Sequence, residues 1–298
     1  MKRTLQNARI IITGASSGIG RELALQASQV GAKIVISARR TERLEALREQ
    51  IQQEMPAGKT ACVEIVSGDV TSQEVREAIV ARCLSAFGGV DILINNAGAA
   101  ATGLFEENTP ERFQRVMDLN LIAPVELTRL IIPLMKPWKG HEEVQKDCLP
   151  ESLRKCASEL QFTGIPPMIV NLSSIVGIRG VTHYSEYCAA KAGLRVFSES
   201  LRTELHRYGI EILVVCPGST ETGFFTDYIE NTGEPTWPHH RRVTAKYVAG
   251  EILKAVRKGK HSIIPFYLGK IMHRLNFFCP VFMDRVMVYY SEQSKKAK

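Results

Sequence analysis

Tyr187 and Lys191 stand four positions apart in Tyr187-Cys188-Ala189-Ala190-Lys191, so on a helix the phenol and the ammonium share one face about a turn from each other. A free Tyr, with a pKa near ~10, is a poor proton carrier at neutral pH, and a neighbouring cation favours the tyrosinate and draws that value toward the working range. A Tyr placed in this way delivers a proton to a carbonyl oxygen as hydride reaches the carbon, or takes it back from an alcohol. Ser174 lies thirteen positions before Tyr187, just past an apolar run, where its hydroxyl is placed to hold the same substrate oxygen. Cys188, beside the Tyr, reads as a small packed residue rather than a redox thiol. A Tyr-x-x-x-Lys pair alone is common in helices, and this one gains its meaning from a second feature near the amino terminus.

That feature is Thr13-Gly14-Ala15-Ser16-Ser17-Gly18-Ile19-Gly20, which follows a strand-like run, 9–13, and opens a helix with Leu23, Ala24 and Ala27 on one side. Glycines let the backbone turn tightly and approach a pyrophosphate, whose charge is met by the amide dipoles of the helix start. Its place between a strand and a helix is the context such a turn requires, although its G-x-x-x-G-x-G spacing differs from the common G-x-G-x-x-G fingerprint. Gly14, Ser16, Ser17, Gly18, Ile19 and Gly20 are therefore candidate dinucleotide-binding residues. At the end of the second strand an acid would bind the ribose 2′-hydroxyl of NAD and repel a 2′-phosphate. Here the residues are Ser37-Ala38-Arg39-Arg40, with two guanidinium forks and no acid, which favours NADP(H). Asp69, with Val70 beside it, ends the third strand and is placed to accept a hydrogen bond from an adenine amino group.

The elements that must hold these groups follow from the hydrophobic pattern. Short apolar runs at 9–13, 33–37, 61–66, 90–95, 168–173, 211–216 and 261–264 alternate with stretches of helical period, the signature of βαβ units around a mostly parallel sheet. Several runs are nearly continuous in Ile, Val and Leu, as in strands covered on both faces. Between them, 40–55 spaces Leu44, Leu47 and Ile51 three and four apart, so one face docks on the sheet. Two segments break the rhythm. The connection 136–167 is long for a loop, and it predicts a surface excursion with one short helix over 151–160. The tail from 265 holds seven of the 21 aromatic residues, with six Lys/Arg against two Asp/Glu. Its longest uncharged run, 275–283, is far below the ~20 residues of a spanning helix.

Length and composition fit this frame. A chain of 298 residues with 45% hydrophobic side chains buries a full core as one large α/β domain. The net charge of +7 is concentrated in the tail and comes without any helix-turn-helix, zinc-finger or RNA-recognition pattern, so nucleic acid is not the expected partner. Seven cysteines without a C-x-x-C pair suit a reducing compartment and neither a disulfide framework nor a zinc site, so no metal is expected. The first strand-like run begins at Arg9, close to the start, and the expected location is cytoplasmic.

Thr13 to Gly20, Asn95-Asn96-Ala97-Gly98, Asn120, Ser173-Ser174, Tyr187 to Lys191 and Pro217-Gly218-Ser219-Thr220-Glu221-Thr222 occur in the order of the motifs of the short-chain dehydrogenase/reductase family. Over roughly 8–264 the chain resembles that family, on its NADP(H)-preferring, single-domain branch. The resemblance implies a Rossmann-type, doubly wound, seven-stranded parallel sheet in one domain over 1–298. Within it 136–167 is an insertion before the fifth strand and 265–298 a helical C-terminal extension. It implies that Asn96, Ala97 and Gly98 lie along the cofactor and that Asn120 positions a water linking Lys191 to solvent. Lys191 binds the nicotinamide ribose as well as lowering the Tyr187 pKa, and Pro217, Gly218 and Thr222 border the nicotinamide. Arg39 takes the place of the arginine that grips the 2′-phosphate.

The expected activity is interconversion of a ketone or aldehyde with its alcohol, through Asn120, Ser174, Tyr187 and Lys191. The resemblance implies that the segment after the Pro-Gly motif forms the substrate wall, where Phe224, Phe225, Tyr228 and Trp237 favour an apolar or aromatic compound with His183 as a polar contact; as core or interface packing the same aromatics would carry no substrate preference. A homodimer or homotetramer is implied, joined through the long helices around 109–135 and 185–208. Two other readings stand beside this one. A non-catalytic NADP-binding sensor would keep the fold, although the intact catalytic residues speak against it. A membrane-surface reductase of a lipidic ketone would use the tail, with Lys270, His273, Arg274 and Arg285 among its aromatics, for peripheral contact with a bilayer. As a lid or oligomer contact the tail would need no membrane.

Overall fold

In the computed structural model, residues 2–56, 58, 60–136, 146–222, 228–232 and 242–296 are described. Seven parallel strands form the main sheet: β1 (Arg9–Thr13), β2 (Lys33–Ala38), β3 (Val63–Ser67), β4 (Ile92–Asn95), β5 (Met168–Leu172), β6 (Glu211–Val215) and β7 (Ser262–Ile263). Their order across the sheet is β7-β6-β5-β4-β1-β2-β3, so the chain reverses direction of travel between β3 and β4. The doubly wound, Rossmann-type parallel sheet expected from the sequence is present, and each strand lies within the run that predicted it or one residue beyond.

The strand pattern sets the two faces. Side chains alternate along a strand, so Ile10, Ile12, Ile34, Ile36, Ile92 and Ile94 share one core while Ile11, Val35 and Leu93 share the other. The first face is covered by α1 (Gly18–Gln29), α2 (Thr41–Gln53) and α8 (Ala245–Arg257), through residues such as Leu23, Leu44 and Ile252. The second is covered by α3 (Gln73–Phe87), α5 (Ala123–Met135) and α7 (Ser185–Leu205), through Ile79, Leu127 and Leu201. Between α4 (Pro110–Met117) and α5 the chain makes one π-helical turn, Asp118–Ile122. Two further helices, α9 (Tyr267–Phe278) and α10 (Pro280–Lys296), form the helical C-terminal extension.

The long connection before β5 departs from expectation. The helix predicted over 151–160 is α6 (Glu151–Arg154) followed by a separate 3-10 turn, Cys156–Glu159. Nor is the described part a surface excursion. Leu149, Leu153 and Ala157 are buried against the α3 and α5 side of the core. Arg9 and Asp91, both buried at the amino-terminal edge of the sheet, make a two-point ion pair at 2.9 and 2.6 Å, and the connection closes over it. Arg9 donates to the Gln161 carbonyl at 2.6 Å and Thr163 donates to Asp91 at 2.9 Å. A buried ion pair is tolerated only when its remaining polar groups are satisfied, and this segment supplies them.

Candidate active site

At the carboxyl ends of the strands, where the strand order reverses, an open α/β sheet leaves a crevice. Here the crevice is a cleft of about 540 Å³, within the range of small-molecule sites. Its first wall is the glycine turn. Gly14 and Gly18 have left-handed φ of +68° and +56°. A Cβ on Gly14 would stand 2.7 Å from the Ala97 Cα, and one on Gly20 2.4 Å from the Asn96 side-chain Nδ2. The closeness has a cause. Asn96 donates through Nδ2 to the carbonyls of Thr13 and Gly14 at 2.8 and 3.1 Å, while Thr13 Oγ1 accepts from the backbone N–H groups of Asn96 and Ala97 at 3.0 Å each. The turn is thus fastened to the Asn96-Ala97-Gly98 segment. Ser16, Ser17 and Ile19 line the cleft, whereas Gly20 is packed behind it.

At one end of the cleft lie Arg39, exposed, and Arg40, which donates to Ser16 Oγ at 3.1 Å and Ser17 Oγ at 3.2 Å. Two guanidinium groups and two hydroxyls therefore meet within a few residues of the turn. Asp69 and Val70 line the adjoining edge, and Asp69 Oδ1 accepts from the backbone and hydroxyl of Thr71 at 3.0 and 2.9 Å. Pro217 and Gly218, which follow β6, border the opposite end, while Thr222 lies against the glycine turn, 2.8 Å from where a Cβ on Gly18 would stand.

At that end α7 brings Tyr187 and Lys191 onto one face, both buried. Ser174 caps the short 3-10 turn Ile175–Gly177, its Oγ accepting from the Val176 N–H at 3.3 Å, and is hydrogen-bonded to the Tyr187 hydroxyl. Burial pushes the Tyr187 phenol above its ordinary range, Cys188 adds to this, and the Ser174 hydroxyl pulls against it. The depression expected from Lys191 is not what the protein alone produces. Its Nζ donates to the Leu172 carbonyl at 2.9 Å and lies 5.6 Å from the Tyr187 ring centroid, and burial governs the phenol.

Lys191 is itself pushed down to about 8, chiefly by burial, with Cys216 opposing. A lysine proton that the folded chain binds less tightly than the unfolded one costs stability below pH ~8, and the cost fades as pH climbs toward ~10.5. At ~1.4 kcal/mol per unit, the cost at neutral pH is on the order of 3 kcal/mol. Lys191→Met removes it, while leaving the Leu172 carbonyl without its donor, a pH-independent loss of about 1–3 kcal/mol. The variant's melting temperature relative to the parent is therefore expected to be highest near neutral pH and to fall as pH is raised past about 8. A difference that stays constant with pH would show that Lys191 is not a strained cation.

Asn120 occupies the π-helical turn, a local widening common at functional positions. It is fully buried, and its Nδ2 donates to the Ala99 and Val116 carbonyls at 2.8 and 2.9 Å. Its Oδ1 has no hydrogen-bond partner among the described residues. A Cβ on Gly98 would lie 2.7 Å from that oxygen and 3.2 Å from Lys191 Nζ, so a glycine leaves acceptor and ammonium facing one shared space.

Several features escaped the sequence. A buried network from Asn95 to Asn171 (2.8 Å) and Asn171 to Ser198 (2.8 Å) ties β4, β5 and α7 together beside the cleft. Tyr184 and Tyr228, both on the cleft, share a hydrogen bond at 3.0 Å. Of these two only Tyr228 was expected on the wall; Tyr184 has no periodic pattern to announce it. His183, at φ +67°, sits between Thr182 and Tyr184, which line the cleft. Glu186, directly before Tyr187, is paired with Arg112 in full burial. Phe224, Phe225 and Trp237 lie outside the described residues. Among the described residues, no His, Cys, Asp and Glu cluster could hold a metal ion.

The short chain dehydrogenase family model matches residues 8–143 and 154–233. The chain belongs to that family. The break in the match, 144–153, falls in the long connection, and the match ends before the C-terminal extension. Dehydrogenase/reductase SDR family member 7B of Mus musculus is 27% identical over 100% of this chain and 85% of its own length. A short chain dehydrogenase/reductase from Burkholderia phymatum, solved with NAD, superposes with a TM-score of 0.74 at 22% identity, covering 92% of this chain and 94% of that one. An alcohol dehydrogenase from the archaeon Thermococcus sibiricus, complexed with 5-hydroxy-NADP, gives 0.67 at 21% identity, covering 86% and 95%. Membership makes the chain an oxidoreductase of the kind that interconverts carbonyl and alcohol groups with a nicotinamide nucleotide. The close-packed glycine turn along the cleft fits such a group.

Proposed function

We propose that the protein is an NADP(H)-dependent reductase of an apolar ketone or aldehyde, the reverse oxidation being open to the same residues. The observation that carries this reading is one cleft with Arg39 and Arg40 at one end and the hydrogen-bonded Ser174 and Tyr187 at the other. Arg39 and Arg40 grip the 2′-phosphate, with Ser16 and Ser17 beside them. Asp69 accepts from the adenine amino group, and the peptide run Asn96 to Gly98 with Val70 lines the path inward. Lys191 holds the nicotinamide ribose, and Pro217, Gly218 and Thr222 shape the nicotinamide end. A bound nucleotide supplies the hydride.

Ser174 positions the carbonyl oxygen and Tyr187 donates the proton to it. Asn120 Oδ1 and Lys191 Nζ hold a water that returns a proton toward Tyr187. Tyr184, Tyr228, Val176 and Val181 present an apolar wall with a phenolic edge, which suits an apolar carbonyl compound. The protein acts in the cytoplasm as a one-domain subunit, assembled as a homodimer or homotetramer through α4, α5 and α7, with no nucleic acid partner.

Calorimetric titration tests the cofactor half of this reading. NADPH is expected to bind more tightly than NADH, and Arg39→Ala and Arg40→Ala are each expected to weaken NADPH by roughly 10–100-fold, the weight of one charge-assisted contact, with NADH little changed. Equal affinity for the two nucleotides would remove the NADP assignment. Binding of neither by folded protein would remove the enzymatic reading as a whole.

A further inference from the structure

The C-terminal extension is fastened to the body of the protein at three points. The Phe266 ring lies between two glycines, and a Cβ on either Gly218 or Gly269 would come within 2.3 Å of it. Met283 of α10 is buried. Arg179, five residues past Ser174, donates to Asn276 Oδ1 at 3.2 Å and forms an ion pair with Asp284. The α9 and α10 hairpin is therefore held with one defined side outward.

That outward side is apolar. Tyr267, Phe277 and Phe278 are 76%, 75% and 76% exposed, and Val281 and Phe282 continue the surface across the turn into α10 at 63% and 56%. Large apolar side chains left in water at so many neighbouring positions mark an interaction site. The charges around it are mainly basic. On α9 Lys270, His273 and Arg274 are exposed and there is no acid; on α10 the nearest acid, Asp284, is already engaged by Arg179. Over 265–298 six Lys/Arg face two acids.

We propose that the α9 and α10 hairpin docks this protein on an anionic phospholipid surface, with Phe277, Phe278 and Phe282 entering the interface and Lys270 and Arg274 meeting the headgroups. No helix among the described residues is long and apolar enough to cross a membrane, so the hairpin lies in the interfacial plane. Charge decides between the two occupants that suit an apolar face. A second copy of the chain joined by a two-fold axis would bring the same basic patch against itself, on a protein that already carries +7. An anionic bilayer takes up the aromatic side chains and the cations together. The docking is independent of what the cleft reduces.

Flotation of the full chain with vesicles tests it, using phosphatidylcholine alone and phosphatidylcholine with about 30% phosphatidylserine. The expected result is binding at least about tenfold stronger to the anionic vesicles at low salt, reduced when salt is raised to roughly 0.5 M. Phe277→Ser/Phe278→Ser is expected to abolish it with an unchanged melting temperature, because both rings are already in water. Lys270→Ala/Arg274→Ala is expected to erase the preference for phosphatidylserine. The proposal is overturned if the parent stays with the protein fraction for both vesicle types, or if the double Phe variant binds like the parent. It is also overturned if that variant only converts a dimer to a monomer in sedimentation, which would give the face to a second copy.

Discussion

Tyr187→Phe is expected to lower turnover of any carbonyl substrate by about 10²–10⁴-fold, the usual contribution of a positioned proton carrier, while the protein folds and binds nicotinamide nucleotide as before. The substitution removes one oxygen from a buried ring that otherwise packs against Ala100, Val116 and Tyr184, so the cluster keeps its volume. The Ser174 hydroxyl loses one partner, but it also accepts from the Val176 N–H at 3.3 Å and stays in place. The residual rate would come from orientation by Ser174 and from proximity alone. Because burial holds the Tyr187 phenol above its ordinary range, the parent keeps its proton at neutral pH and is set to act as an acid. Reduction in the parent should therefore fall on the alkaline side, and the residual rate of the Phe variant should lose that fall. Nucleotide affinity is the control: a variant with unchanged turnover and unchanged binding would take the acid role away from Tyr187.

Much of this site was legible because its chemistry is local in the chain. The Tyr187 and Lys191 spacing is a single helical turn, and the glycine turn sits between one strand and one helix. The strands were legible for a similar reason, since parallel strands covered on both faces must be apolar at nearly every position. Asn120 was legible only through resemblance, because a π-helical turn follows no local spacing. Contacts between distant residues stayed hidden. Asn95 and Asn171 are 76 positions apart and Tyr184 and Tyr228 are 44 apart, and no periodicity links such pairs. In the connection before β5, length alone points to a surface excursion. What places it in the core is three residues, Leu149, Leu153 and Ala157, spaced four apart across helical turns too short for a helical pattern to stand out.

The Arg112 and Glu186 pair is the least visible of these contacts, and breaking it is expected to have the largest effect on stability. Both side chains are 1% exposed, with Arg112 Nε donating to Glu186 Oε1 at 2.9 Å and a second nitrogen 2.8 Å from the same oxygen. The far side of the guanidinium donates to Thr232 Oγ1 at 3.0 Å, and Thr232 in turn donates to the Thr102 carbonyl at 3.1 Å. One cation thus joins α4, the first turn of α7 and the strand pair formed by Ala101–Thr102 with Glu230–Asn231. Arg112→Met leaves the Glu186 carboxylate buried without its partner, which typically costs 3–5 kcal/mol, a large share of the ~5–15 kcal/mol that holds a protein folded. Glu186→Leu leaves the guanidinium with Thr232 and, at 3.9 Å, the half-exposed Glu230 carboxylate, and is expected to cost less than Arg112→Met. The double variant Arg112→Met/Glu186→Leu removes both charges, and chemical denaturation should show it more stable than either single, with a large coupling between the two sites. Activity should not recover in parallel, because Thr232 still lacks its donor and Glu186 immediately precedes Tyr187. Additive losses in the double variant would mean that the two side chains act separately and that no ion pair fixes the start of α7.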